Sequence, residues 1–298
     1  MISNNKKNEL NISNLIFSIL PVIIAIILQY VAILGDILIL FIYNIFSDER
    51  SVSSRSAGEI FTEQYNQPMN LAAITFTQFL LYFIVFGLWY YKVFCKYKVT
   101  DETFTIRGYA KFALGPTFKS CTPIFMIIAG VAGQFMVDGV LALLRPVFPD
   151  TFGEYDAMVT SVTGAGSSWL MLLAVMIVAP IGEEFLFRGL TQRYAKRSLI
   201  VPLAILFQGI IFGVYHGNII QGVYAFILGS VLGFLAYEFG SITPGILLHI
   251  SINTSLLFVP QVLFRTTTSS AVTAVVAGII FVVAIVMAVK LHRKEKGL

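Results

Sequence analysis

Eight long apolar stretches alternate with shorter polar ones along the chain. They lie at residues 15–46, 71–94, 121–144, 168–187, 199–215, 222–239, 244–259 and 271–289. Each has roughly 16 residues or more, close to the length at which a helix crosses a hydrocarbon core about 30 Å thick. Because a backbone in lipid must satisfy its own hydrogen bonds, such stretches favour helices. The pattern predicts an all-α membrane protein, a polytopic bundle of about eight transmembrane helices forming one domain over residues 1–298.

Composition supports this prediction. The chain has 298 residues, of which 57% are hydrophobic and 12% charged, and its mean hydropathy is +0.83. A soluble domain of this length could not bury so much apolar surface. The first stretch is too long for the core of a cleaved signal peptide, so it predicts a spanning helix. Cys95 and Cys121 have no neighbour at metal-ligand spacing and predict neither a disulfide framework nor a zinc motif.

Basic residues predict the orientation of the bundle, since Lys and Arg near helix ends stay on the cytoplasmic side. With a cytoplasmic N-terminus, 16 of the 20 Lys and Arg are inside: Lys6, Lys7, Lys92, Lys96, Lys98, Arg107, Lys111, Lys119, Arg188, Arg193, Lys196, Arg197, Lys290, Arg293, Lys294 and Lys296. We therefore expect a multi-pass protein of the cell membrane with both termini cytoplasmic. The net charge of +4 is explained by this sorting and requires no nucleic-acid partner.

Two adjacent carboxylates follow an uncharged run, residues 169–179. Ionisable groups at membrane depth are costly and mark functional sites. On a helix, Glu184 and Arg188 are four residues apart and share a face, whereas Glu183 points about 100° away and has no partner in its own helix. The pattern favours Glu183 as a general base or acid; the simpler interpretation is that both glutamates reach toward interfacial water.

Two of the three histidines lie at or within apolar stretches. His216 ends one stretch, and His249 shares a helical face with Asn253 four residues later. Together with an intramembrane glutamate they predict a polar site that holds one water or one metal ion. The third, His292, lies in the basic tail and is expected to be solvated.

Depth along the predicted helices leaves open how these residues meet. At about 1.5 Å per residue from the cytoplasmic side, Glu183, His216 and His249 lie roughly 21, 27 and 14 Å deep. A kink at Pro180, helix tilt, or a different start of the seventh stretch would bring them together.

Other polar and small residues receive structural interpretations. Gln134 and Asp138 lie near a predicted helix end and are interpreted as interfacial, with a place on a water path as the alternative. Glycines recur at helical spacing in the fifth and sixth stretches and predict close packing against a neighbouring helix: Gly209, Gly213, Gly222, Gly229 and Gly233.

Three motifs occur in order on successive apolar stretches: Glu183-Glu184-x-x-x-Arg188, Phe212-x-x-x-His216 and His249-x-x-x-Asn253. In this arrangement, residues 168–259 resemble the CAAX protease and bacteriocin-processing family, also called CPBP or Abi. The resemblance implies an intramembrane endopeptidase in which Glu183 and His216 activate water. His249 and Asn253 would stabilise the oxyanion, and Glu184 and Arg188 would support the helix.

The metal requirement has two interpretations. Glu183, His216 and His249 match the ligand set of a catalytic zinc site. However, the chain has no His-Glu-x-x-His pair, and Glu183 as a ligand would leave only Glu184, on another face, as the base. We favour a mechanism without a cofactor, with divalent zinc as the alternative.

The expected partners are the lipid bilayer and a peptide or membrane-associated protein substrate. A non-proteolytic bacteriocin-immunity or partner-binding protein of the same fold is the alternative, and a proton-coupled transporter is a third hypothesis. Richness in Ile, Asn and Lys suggests an AT-rich bacterial genome, where prenylated CAAX proteins are not expected. The sequence therefore favours other peptide or membrane-protein substrates.

Overall fold

The computed structural model describes residues 12–46, 56–95, 121–164 and 167–297, and its regular elements are helices. Many of the basic residues behind the predicted orientation, including Lys6, Lys7 and those at positions 96–119, lie outside the described residues. The helices are α1 (Ile12–Phe46), α2 (Ala57–Tyr65), α3 (Pro68–Tyr90, extended by a π-helical turn over Tyr91–Cys95), α4 (Thr122–Leu144), α5 (Pro149–Thr163), α6 (Trp169–Ala195), α7 (Val201–Tyr215), α8 (Ile219–Glu238), α9 (Thr243–Ser255) and α10 (Thr267–Lys296).

Six of these helices are long and apolar enough to cross a membrane: α1, α3, α4, α6, α8 and α10. The predicted all-α class is confirmed, and these helices support a multi-pass membrane protein. The fifth and seventh predicted spans correspond to the shorter apolar helices α7 and α9.

Two helices, α2 and α5, were not predicted. Ser56 caps α2 in a capping box with Glu59, and α5 begins with Pro149 in its first turn and Asp150 beside it. Both are start signals that do not depend on an apolar run.

Glycines allow close contact between neighbouring helices, as predicted. A Cβ at Gly213 would lie 2.5 Å from the carbonyl oxygen of Gly222, and one at Gly209 would lie 2.5 Å from Ser230 Oγ. Helices α7 and α8 therefore pack against each other through small residues. Gly130 provides the same close contact between α4 and α9, where an added Cβ would overlap Ser251 Cβ.

Two apolar cores lie side by side in the bundle. One is built mainly from α4, α8, α9 and α10 and includes Leu232, Leu248 and Phe281. The other is built mainly from α1, α3, α6 and α7 and includes Phe86 and Leu186. Residues of both cores line one internal cavity.

The prediction that His292 is solvated is wrong. Helix α10 continues through residue 292 to Lys296, so the imidazole faces the end of α8. It is 3% exposed and stacks on the ring of Phe239, with centroids 4.1 Å apart and an interplanar angle of 26°. Beside it, Arg293 Nη2 donates to Glu238 Oε2 at 3.0 Å, so this end of α10 is docked on α8.

Candidate active site

Helix α6 carries the glutamates and changes register along its length. It is α-helical over Trp169–Leu173 and Ala179–Glu183, and π-helical over Ala174–Val178 and Glu184–Thr191. π-Helical turns are rare and often occur at functional sites. In α6 the two π-helical stretches flank the short α-helical segment that contains Pro180 and Glu183.

The first π turn explains the position of Asn253. The N–H of Ala179 donates to the carbonyl of Ala174, five residues earlier. In the same register the carbonyl of Val175 would accept from residue 180, but Pro180 has no N–H. Asn253 Nδ2 donates to Val175 O at 2.9 Å instead. This bond joins α9 to α6 and leaves the second amide hydrogen of Asn253 for the cavity, which Asn253 also lines.

Glu183 and Glu184 occupy different environments. Glu183 is on the cavity wall. Glu184 lies behind it, where Arg188 Nη1 donates to Glu184 Oε1 at 2.8 Å and both side chains have 0% exposure. Arg188 also donates through Nη2 to the carbonyl of Gly229 on α8, at 3.0 Å. The i, i+4 pair thus neutralises one carboxylate and leaves the other facing the cavity.

His249 lies between the two carboxylates. Its Nδ1 is 3.2 Å from Glu184 Oε1, and its Nε2 is 3.6 Å from Glu183 Oε2. The first distance is that of a hydrogen bond and the second exceeds it. A carboxylate ion only accepts hydrogen bonds, so Nδ1 is the donor to Glu184. The second nitrogen, Nε2, then faces Glu183.

His216 has a fixed tautomer in its neutral form. Its Nδ1 is 2.7 Å from the carbonyl oxygen of Phe212. A carbonyl can only accept, so Nδ1 carries a hydrogen and Nε2 of the neutral ring is an acceptor. An acceptor at this position can hold a water molecule by one of its hydrogens.

Phe212 has a position that its place in the motif did not predict. Its ring meets His216 edge-on, with centroids 4.6 Å apart at 89°, and meets His249 at 5.8 Å and 89°. The guanidinium carbon of Arg188 lies 4.4 Å from the centre of the same ring. One aromatic side chain therefore packs against both histidines and the buried cation.

The four residues with predicted catalytic roles line one cavity of about 340 Å³: Glu183, His216, His249 and Asn253. The difference in membrane depth that the sequence predicted for Glu183, His216 and His249 does not keep their side chains apart. The cavity also has polar residues that were not assigned to the site from the sequence: Gln29, Gln78, Gln134, Tyr155, Tyr215, Gln221 and Tyr224. Gln134 is 7% exposed and lines the cavity, which agrees with the alternative interpretation, a place on a water path. Glutamines within apolar runs were a signal for four of these positions, Gln29, Gln78, Gln134 and Gln221.

The alternative metal site was tested on the side-chain geometry. In the part of the chain that the structure describes, no group of three or more His, Cys, Asp and Glu side chains is placed to hold a metal ion. The Nδ1 atoms of His216 and His249 are bound to Phe212 O and Glu184 Oε1, which leaves their Nε2 atoms as the possible ligands. These two nitrogens and the Glu183 carboxylate are not arranged as such a group.

The comparison with family models matches residues 165–255 to the family described as type II CAAX prenyl endopeptidase Rce1-like. The predicted family resemblance is confirmed. The Rce1-like segment runs from just before α6 to the end of α9 and contains all seven motif residues: Glu183, Glu184, Arg188, Phe212, His216, His249 and Asn253. Comparisons with curated proteins and with solved structures give no match. The family implies a protease and thus a peptide or protein substrate.

Proposed function

We propose that this chain is an intramembrane endopeptidase in which Glu183 activates a water molecule for attack on a peptide carbonyl. One observation carries the proposal: within the Rce1-like segment, Glu183 and His249 face each other across 3.6 Å on the wall of a cavity that His216 and Asn253 also line. Buried carboxylates are costly in a membrane, and a carboxylate on the wall of a cavity that admits water can act as a general base.

The reaction follows from the donors and acceptors at the site. His216 Nε2 accepts one hydrogen of the water, and Glu183 takes a proton as the water oxygen bonds to the carbonyl carbon. The carbonyl oxygen becomes negative and receives hydrogen bonds from the free amide hydrogen of Asn253 and from His249 Nε2 when that ring is doubly protonated. Glu183 then passes its proton to the amide nitrogen as the C–N bond breaks. Water is thereby divided between the new carboxyl and amino ends.

Glu184 has an orienting role in this scheme. Its bond to His249 Nδ1 fixes the ring so that Nε2 faces the reacting atoms, and Arg188 balances its charge. This arrangement extends the supporting role that the family resemblance implies for Glu184 and Arg188.

The decisive experiment compares two glutamate variants in detergent with a quenched-fluorescence peptide library. General-base catalysis contributes about 10²- to 10⁴-fold, so Glu183→Gln should lower kcat by that factor. Glu154→Gln is the matched control, because Glu154 is exposed on α5 and does not line the cavity, and it should leave kcat within about twofold, as expected of a surface substitution. Full activity of Glu183→Gln, or no cleavage by the parent chain, would overturn the proposal.

Two further properties belong to the proposal. The reaction is metal-free, and both termini lie on the cytoplasmic side of the cell membrane, in accord with the distribution of Lys and Arg. Protease protection of a tag fused after residue 298 tests the second property, and digestion of the tag in intact cells would contradict it. The substrate is a peptide or membrane-associated protein. No observation favours the non-proteolytic alternative.

A further inference from the structure

Four glutamines from four different helices reach the cavity: Gln29 on α1, Gln78 on α3, Gln134 on α4 and Gln221 on α8. Amides are costly in a hydrocarbon environment unless they are paired or functional. Two other glutamines of the bundle have a packing role, because Gln192 donates to Gly233 O and Gln208 to Gly229 O, each at 2.8 Å. The glutamines of the cavity face a space instead of a neighbouring helix.

Gln78 and Gln134 have their amide nitrogens bound to the protein. Gln78 Nε2 donates to Tyr82 Oη at 3.1 Å, and Gln134 Nε2 donates to Asp138 Oδ2 at 2.9 Å. The Tyr82 hydroxyl gives its own hydrogen to Ala25 O at 2.8 Å, so toward Gln78 it is an acceptor. Each glutamine is thus held by a residue four positions later on its own helix.

These bonds determine which end of each amide is free. An amide has two donors on nitrogen and an acceptor on oxygen. The nitrogen is held by Tyr82 or Asp138, and in Gln78 it also donates to the Tyr215 hydroxyl, so the carbonyl oxygen remains. Among the hydrogen bonds of the described residues, none is donated to that oxygen in either glutamine. The cavity therefore has two hydrogen-bond acceptors that the proposed catalytic residues do not use.

The two acceptors lie on different walls near the catalytic residues. Helix α3 contacts α6 beside Glu183, since a Cβ at the preceding residue, Gly182, would lie 2.9 Å from Tyr82 Cβ. The α4 wall touches α9 next to Asn253, where a Cβ at Gly133 would lie 3.8 Å from Ile252 Cγ1. A substrate peptide that crosses the cavity past Glu183 and Asn253 would therefore pass both the α3 wall and the α4 wall. The volume of about 340 Å³ is many times what a single hydrolytic water needs.

The charge of the lining indicates which ligand fits. Among the described residues that line the cavity there is no Lys or Arg, and Glu183 is a carboxylate. Apart from His249, which is a cation when doubly protonated, the lining offers acceptors and a carboxylate, and these complement neutral N–H donors better than an anion. The backbone of a peptide offers such donors only where it is extended, because a helix uses its own N–H groups internally.

We propose that Gln78 and Gln134 bind backbone N–H groups of an unwound, extended substrate segment, one on each side of the bond that is cut. Tyr82 and Asp138 position the two amides. The identification of the ligand as a peptide rests on the proposed function. The site then selects a segment for its accessible backbone, and a charged side chain or terminal carboxylate is not what it recognises.

The test measures binding without cleavage, in the full-length Glu183→Gln chain in detergent. The probe is a dansyl-labelled, neutral, eight-residue peptide of Ala and Leu with both ends blocked. In a companion series, one backbone N–H at a time is replaced by an ester oxygen. A hydrogen bond contributes about 0.5–1.5 kcal/mol, so the ester should weaken binding about 3- to 10-fold at two positions or sets of positions.

Variants assign each effect to one glutamine. Gln78→Leu should abolish the ester effect at one position and Gln134→Leu at the other, while Gln67→Leu, exposed at the start of α3, should abolish neither. Where a leucine variant does not fold, Tyr82→Phe or Asp138→Leu releases the corresponding amide and should reduce the same ester effect. Ester effects that are absent, or that survive in both glutamine variants, overturn the inference.

The two proposals fail in different ways. If the parent chain cleaves peptides but the esters bind as well as the amides, the proposed function stands and the role of the glutamines is refuted. If the esters bind more weakly in the predicted pattern but no peptide is ever cleaved, the recognition of backbone stands and the proposed function is refuted.

Discussion

Removing the buried ion pair one residue at a time, and then both together, separates its structural role from its orienting role. Glu184→Leu leaves the guanidinium of Arg188 with one carbonyl, Gly229 O at 3.0 Å, and the ring of Phe212 at 4.4 Å. Both side chains of the pair are fully buried, and breaking a buried pair costs about 3–5 kcal/mol. We expect Glu184→Leu and Arg188→Met each to unfold more readily by about that amount.

The double variant should behave differently. Replacing both members of a buried pair by apolar residues of similar volume is often neutral or stabilising by about 1–4 kcal/mol. Stability should therefore return to that of the parent or exceed it. Activity should not return, because His249 Nδ1 has lost its acceptor, Glu184 Oε1 at 3.2 Å. A misplacement of about 1 Å near the reacting atoms costs about 10²-fold in rate.

Two measurements on the same preparations decide the result. Unfolding in increasing denaturing detergent, followed by circular dichroism, gives the change in stability, and the quenched-peptide assay gives kcat. If the double variant recovers both stability and kcat, Glu184 has only a structural role and the orientation of His249 has another source. If neither stability nor kcat recovers in the double variant, apolar packing cannot replace the ion pair. The cost of desolvating the two charges would then be smaller than assumed relative to their attraction.

Three further predictions concern the same site. In Gly245→Ala, the new Cβ would lie 2.8 Å from Glu184 Oε2, and the displaced carboxylate should lower kcat about tenfold. Gly278→Ala is the control, because its new Cβ would make an ordinary contact at 3.5 Å and should leave kcat unchanged. Equal kcat in the two variants would contradict the orienting role of Glu184. Asn253→Leu removes the donor to Val175 O, so stability should fall by about 1–3 kcal/mol and cleavage should be lost; unchanged unfolding would mean that the carbonyl has another donor. Cleavage should survive treatment with 1,10-phenanthroline, and a loss that added zinc reverses would refute the metal-free reaction.

The sequence was sufficient to predict the long apolar helices because the cost of placing polar groups in lipid acts on each stretch separately. It was not sufficient for α2 and α5, whose composition is mixed. Their signals are local start motifs, such as the capping box of Ser56 and Glu59, which a search for apolar runs does not detect. The predicted exposure of His292 was wrong for a different reason. Its stacking partner Phe239 is distant in sequence, whereas the charged residues next to it in sequence predict solvation.

The candidate site shows the same division between local and distant information. The pair of Glu184 and Arg188 could be predicted because a spacing of four residues determines it. The contacts of His249 with α6 and of Asn253 with Val175 join residues 65 and 78 positions apart. The depth estimate also assumed a uniform α-helical rise, and α6 contains two π-helical stretches. Convergence on one cavity was therefore beyond what the spacing could predict.

The missing N–H of Pro180 also bears on how the protein is made. In the π-helical register of the folded structure, the carbonyl of Val175 has no donor on α6, and α9, whose Asn253 supplies one, is synthesised later. An unpaired carbonyl in hydrocarbon costs several kcal/mol, and the charges of Glu183, Glu184 and Arg188 add to it. Helix α6 is long and apolar enough to span a membrane, but these groups make it less stable there alone than packed against α9. The contact that satisfies the carbonyl of Val175 is therefore also one that assembles the cavity.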